Sequence, residues 1–151
     1  MFYLSSKVSF IALVLVCLLS TSQADEKAVV IDPEASSLTW GACPAFIGEG
    51  CQIAILHGDP AKNNLDILFK VPADFKIPHH WHTSAERMIL VSGNMTVTYD
   101  DQKSELIKTG HYAYGPAKRP HTAYCEKGDD CVLFIAFEEP LDAHEVMKKS
   151  K

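Results

Sequence analysis

Between Ile77 and Gly93 the chain reads Ile77-Pro78-His79-His80-Trp81-His82-Thr83-Ser84-Ala85-Glu86-Arg87-Met88-Ile89-Leu90-Val91-Ser92-Gly93, and this stretch gathers the side chains best suited to chemistry. Successive side chains on a strand alternate between faces, so His80 and His82 share one. Three small residues separate His82 from Glu86, a gap short enough for the chain to turn and bring the carboxylate back. Two imidazoles and a carboxylate make three legs of a metal site. Mixed nitrogen and oxygen ligands suit Fe, Mn, Ni, Cu or Zn better than Ca or Mg. A fourth leg lies 35 residues after Glu86, at His121. Pro116 and Pro120 bracket the loop before it and restrict the backbone, so His121 can start a strand at a defined place. The competing reading is a surface loop with scattered histidines, because His-x-His alone is a common pattern.

Short strands must position these residues. Leu38–Trp40 and Ile53–Leu56 are candidates, the second stopped by Gly58-Asp59-Pro60. In Leu65–Val71 the odd residues Leu65, Ile67, Phe69 and Val71 point to one face, and Pro72 ends the run. Met88–Val91 is apolar, Gly93-Asn94 is a hairpin turn signal, and Met95–Tyr99 alternates cleanly. Shorter runs follow at Ser104–Lys108, Tyr112–Tyr114 and His121–Cys125. Val132–Phe137 is wholly apolar, which predicts a central strand. Asp142–Lys149 reads as a short helical end capped by Asp142. Eight or more short strands with regular turns predict an all-β barrel or sandwich. There is no internal repeat, second domain, Gly-rich phosphate loop or G-x-S-x-G elbow.

Residues 1–24 read as a leader rather than as fold. Lys7 is the sole charge there, Val8–Leu19 is apolar except for Ser9, and Ser22-Gln23-Ala24 is a small-x-small cleavage site. The apolar run is short of the ~20 residues that span a bilayer. Cleavage after Ala24 leaves residues 25–151 as one domain, directed to the periplasm or secreted. Losing Lys7 takes the net charge from -5 to -6, which argues against nucleic acid and anionic membranes as partners. Cys17 leaves with the leader, so Cys43, Cys51, Cys125 and Cys131 remain. An even count in an exported chain predicts disulfides, and four cysteines allow three pairings. Local pairing, Cys43–Cys51 and Cys125–Cys131 (the latter closing a hairpin loop), is preferred. The rival is a four-thiolate zinc site, although neither pair has C-x-x-C spacing.

With these residues in view, the chain resembles the cupin superfamily. The first cupin motif ends in H-x-H, three or four residues, E, six residues, G; here these are His80, His82, Glu86 and Gly93. In the second, Gly110, Pro116 and His121 fall at the family's spacings. Lys118 and Cys125 stand where the motif has glycine and asparagine, and Asp74 stands where a glycine usually precedes the first histidine. The longer runs His80–Met88 and Tyr112–Lys118 are similar to small exported single-domain cupins of the type-2, ChrR-like kind. The resemblance implies a double-stranded β-helix, or jelly roll, with one divalent transition metal ion inside one mouth, held by His80, His82, Glu86 and His121.

Four protein ligands on a six-coordinate ion leave two positions open, as catalytic sites require. The first functional expectation is a metal-dependent dioxygenase or other oxidoreductase acting on a small oxygen-bearing molecule, with Glu86 also a proton acceptor. A non-redox isomerase or lyase is the second, through Lewis-acid polarisation. A non-catalytic module that senses or carries a metal or small ligand is the third. Tyr112, Tyr114 and Arg119 are the candidate substrate-binding residues, with core packing or solvated charge as the alternatives. His79 should face away from the site, and Trp81 should pack behind the barrel wall. A small molecule is the expected partner, and a homodimer stays open.

Overall fold

The computed structural model describes residues 27–147. The leader expected over residues 1–24, and its cleavage site, lie outside these described residues. The chain divides into units 1–30 and 31–151, and the fold is built in the second. Among the described residues there is no helix. Eleven strands, numbered along the chain, form two antiparallel sheets. One holds, in spatial order, β1 (Trp40–Ala42), β2 (Gln52–His57), β3 (Leu65–Val71), β10 (Cys131–Phe137), β5 (Glu86–Ser92) and β8 (Tyr112–Gly115). The other holds β11 (His144–Glu145), β4 (Phe75–Trp81), β9 (His121–Cys125), β6 (Asn94–Tyr99) and β7 (Glu105–Lys108). The chain passes repeatedly from one sheet to the other, which is the jelly-roll arrangement.

Strand patterning explains the core. Leu65, Ile67 and Val71 of β3 are buried with Phe69 packed beside them, so the odd-numbered face of that strand points inward as expected. The apolar strand β10 lies between β3 and β5, and its Cys131, Leu133, Ile135 and Phe137 alternate into the interior. From β6 the matching face contributes Met95, Val97 and Tyr99.

Both cysteine pairs are disulfides, Cys43–Cys51 and Cys125–Cys131, as fits an oxidising compartment. Cys125 ends β9 in one sheet and Cys131 starts β10 in the other. The bridge therefore ties the two sheets together rather than closing a hairpin. Gly93-Asn94 is likewise no hairpin turn, because β5 and β6 belong to different sheets. Gly93 turns that corner at φ +80°, and a Cβ on it would stand 2.8 Å from the Asp130 carbonyl oxygen. Close backbone approach, not hairpin geometry, is what demands glycine here.

The helical end expected over Asp142–Lys149 is not helical in its described residues, 142–147; residues 148 and 149 lie outside them. His144 and Glu145 pair with Trp81 and His80 as β11, and Val146 donates its N–H to the His79 carbonyl at 2.9 Å. The Trp81 indole stacks on the His144 ring at 4.1 Å. The Asp142 carboxylate accepts a bond from the Thr83 N–H at 2.8 Å instead of capping a helix. Cross-strand pairing of this segment against an otherwise open β4 edge outweighs its helical pattern.

Candidate metal centre

Strand β4 is irregular where it matters. Ile77 pairs with Ala123 and His80 with His121, so three steps on β4 face two on β9. This β-bulge falls at Pro78-His79, where proline has no N–H to give to the ladder. Strict alternation from Ile77 would put His79 inside. The extra residue resets the phase, so Ile77 and His80 are both buried. His79 is turned outward, its Nε2 2.8 Å from the Asp100 carboxylate.

His80, His82 and His121 bring one ring nitrogen each to a common point, all within 4.8 Å of one another. Glu86, at the start of β5, lies against two of them. Its Oε1 is 3.4 Å from His82 Nε2 and its Oε2 is 3.7 Å from His121 Nε2. Such separations are long for hydrogen bonds but near those of neighbouring ligands around an ion with bonds of about 2.1 Å. The structure therefore brings together the four residues expected from sequence.

Each imidazole is oriented from behind. Nδ1 of His80 donates to the Pro78 carbonyl at 2.7 Å, Nδ1 of His82 to the Asp142 carbonyl at 2.5 Å, and Nδ1 of His121 to the Arg119 carbonyl at 3.1 Å. A carbonyl can only accept, so Nδ1 carries the proton and each Nε2 presents a lone pair when the ring is neutral. Burial, then the charges of His121 and His82, push His80 down to about 3. Burial also lowers His121, against the opposing pull of Glu86. Both rings are thus held neutral at ordinary pH, the state that binds a metal. This donor set fits a divalent transition ion.

Two further residues complete the wall. Tyr99 ends β6 opposite His121, with ring centroids 4.8 Å apart. Its hydroxyl is buried without a hydrogen-bond partner, and burial together with the Glu86 carboxylate raises its pKa. Gly115 of β8 pairs with Glu86. A Cβ there would collide with the Tyr99 hydroxyl and stand 2.9 Å from Glu86 Oε2. The clean alternation of Met95, Val97 and Tyr99 could have located Tyr99 from sequence. Asp142, read as a helix cap, instead supplies the carbonyl that orients His82, and nothing local in the sequence signals that.

The centre forms one end of a cavity of about 400 Å³ inside the barrel. Tyr112 and Tyr114 do not reach it. They lie exposed on β8, pointing away from the interior. The Arg119 side chain does not reach it either, because it donates to the Asp100 carbonyl at 2.6 Å. None of the three lines the cavity, for two separate reasons: the face of β8 turned inward is that of Ala113 and Gly115, and the loop before β9 folds Arg119 back onto the 100–101 turn. Lys118 and Asp74, which stand at two glycine positions of the cupin motifs, both adopt left-handed backbone, at φ +58° and +61°.

Comparison with known proteins agrees with this architecture. A family model described as a domain of unknown function, DUF4437, matches residues 21–143. No curated protein matches the chain. Among solved structures, the polyketide cyclase RemF from Streptomyces resistomycificus is similar at TM-score 0.66 and 16% identity, over 81% of this chain and 89% of that one. The DMSP lyase DddQ from Ruegeria pomeroyi DSS-3 is similar at TM-score 0.63 and 13% identity, over 76% and 64%. An RmlC-like cupin protein from Ralstonia eutropha JMP134 follows at TM-score 0.59 and 21% identity, over 75% and 69%. At these identities the likeness is one of fold, and together with the family match it establishes that the chain belongs to the DUF4437 family and carries the cupin barrel.

Proposed function

We propose that the protein is an exported metal-dependent enzyme of the type-2, ChrR-like cupin kind, most simply a dioxygenase or other oxidoreductase. His80, His82, His121 and Glu86 would hold one divalent transition metal ion, and a small oxygen-bearing molecule would be the substrate. One observation carries this reading: three imidazoles converge at the end of the barrel cavity, each with its Nδ1 committed to a main-chain carbonyl. Orientation from behind is expected of metal ligands and unnecessary for packing. A redox-active ion held there would supply electron transfer to dioxygen, and a redox-inert one would supply Lewis acidity.

The chain's own residues have defined tasks. The imidazoles fix position, and the apolar walls exclude water. Glu86, in contact with His82 and His121, is placed to take a proton from a substrate bound beside it. A non-redox reading, lyase or cyclase, draws support from the same carboxylate and from the names of two structural neighbours. The test is elemental analysis of protein purified from periplasm or medium, followed by oxygen-uptake measurements with candidate substrates. About one iron, manganese, nickel or copper per chain with substrate-dependent oxygen uptake is the expected result. Zinc with turnover but no uptake would move the assignment to the lyase reading. Absence of any bound metal would end both.

A further inference from the structure

The cavity is chemically divided along its length. Every polar side chain that lines it stands at the metal end: His80, His82, Glu86, Tyr99, His121 and Asp142. The remainder is carbon and sulfur, contributed among others by Ile67, Met88, Met95, Ile107, Leu133 and Ile135. Among the described residues, no lysine, arginine, serine, threonine, asparagine or glutamine side chain lines any part of it. By register, Met95 pairs with Ile107 and with Cys125, so the apolar body runs from the centre toward the inter-sheet disulfide. Exposed Ala42 and Pro44 on one side, and half-buried Leu141, Asp142 and Ala143 on the other, frame the mouth.

Accordingly we propose, resting on the metal-dependent reading above, that the ligand is a mainly hydrocarbon molecule with a single oxygen-bearing head. The head, a carboxylate, enolate, phenolate or carbonyl oxygen, sits at the His80–His82–Glu86–His121 end. The body, aromatic or medium-chain aliphatic, fills the space between Met88, Met95, Ile107 and Leu133. A polyhydroxylated body, such as a sugar acid's, would surrender its hydrogen bonds to water and find no partner along these walls, a penalty that excludes it. With no cationic side chain in the lining, phosphate and sulfate groups also lack a counter-charge away from the centre. A cavity of about 400 Å³ lies in the range that encloses small organic ligands. Met88 and Met95 give the body adaptable walls, suiting a class of related hydrocarbons better than one rigid shape.

A matched pair of probes tests this on the whole mature protein loaded with Co(II). Loading is read from visible absorption and metal content. Octanoate is then titrated against an analogue of equal length in which two tail methylenes are replaced by ether oxygens, with binding followed by calorimetry. The same titrations are repeated on metal-free protein. Each buried methylene contributes roughly fourfold in affinity, so octanoate should bind at least about tenfold more tightly than the ether analogue. In an Ala123→Phe variant, whose new ring fills the body of the cavity, octanoate binding should be lost with Co(II) retained. Equal affinities for the two probes, or no binding of octanoate in either form, overturns the proposal whether or not the variant folds. Octanoate preference without Co(II) loading would leave the apolar body standing and overturn the metal reading alone.

Discussion

The two ends of the barrel are held by different chemistry. At one end His80, His82, Glu86 and His121 face each other across a cavity, and polar side chains point inward. At the other, Cys125 and Cys131 join the sheets in surroundings from which solvent is fully excluded. Between them run the same strands, β9 and β10. His121 begins the first and Cys125 ends it; Cys131 begins the second, and Phe137 ends it against the His82 ring. Covalent closure at one end frees the other to carry groups chosen for reactivity rather than for packing. The buried, unpartnered Tyr99 hydroxyl is one such group, and it lies at the reactive end.

This division can be broken from the metal side first. His121→Ala should lower metal affinity by more than about 100-fold, beyond the 10–100-fold typical of losing an outer-shell partner. His79→Ala should leave it unchanged, since that ring faces Asp100 outside the barrel. Metal per chain by elemental mass spectrometry after dialysis separates the two. Retention by His121→Ala together with loss by His79→Ala would falsify the ligand set and the bulge that selects it.

Acid should strike the same end. In the unfolded chain His80 and His121 take up protons near their ordinary value of about 6.5. Folded and metal-free, they resist protonation, His80 down to about 3. The unfolded state then binds more protons throughout that window. Stability is therefore full above about 6.5 and declines as pH falls toward 3. The loss from His80 should be on the order of 3 kcal/mol at pH 4, read by urea denaturation at pH 7, 5.5 and 4. A flat profile would mean that the imidazoles are solvated.

The disulfide end gives the complementary result. Replacing Cys125 and Cys131 together by serine should cost about 2 kcal/mol, the value for so short a loop, with metal affinity unchanged within about threefold at temperatures where the variant is folded. Urea denaturation and metal competition measure the two quantities on one sample. A large fall in affinity would show that the ends are mechanically coupled.

The smallest effect sharpens the comparison at a single residue. Lys118 holds left-handed backbone and donates its N–H to the His82 carbonyl at 2.8 Å. Lys118→Gly removes a side-chain penalty of about 1 kcal/mol, partly offset by the greater freedom of glycine in the unfolded chain. A rise in stability of under about 1 kcal/mol is expected, with metal binding preserved. Asp74, on the turn before β4, should respond oppositely, because its carboxylate accepts the Tyr124 hydroxyl and Asp74→Gly deletes that bond.

Much of the metal end was legible in the sequence because its ligands come from local spacing, His80 to Glu86, plus one histidine placed by flanking prolines. Strands β3, β6 and β10 were legible for a similar reason: their side-chain period is carried within a single run. Sheet membership was not. Gly93-Asn94 carries the residues of a hairpin, yet its flanking strands diverge into different sheets. The helical reading of Asp142–Lys149 failed over the described residues 142–147 because the pairing of His144 and Glu145 with β4 is a contact between distant segments. Tyr112 and Tyr114 were misplaced because two tyrosines sharing a face do not reveal which face is inside, and the small residues Ala113 and Gly115 mark it.

The bulge at Pro78-His79 bears on how this site can change by insertion and deletion. Removing one residue from a strand ordinarily inverts every side chain beyond the cut. Here the strand already carries one residue more than its partner requires. A chain lacking His79 would run Ile77, Pro78, His80 on a regular ladder, with Ile77 and His80 still turned inward. The cost would fall on the outer surface, where the contact with Asp100 and the carbonyl that receives Val146 would go. In lineage terms, Pro78-His79 is the place in β4 where the gene could lose a codon and keep its ligands in phase.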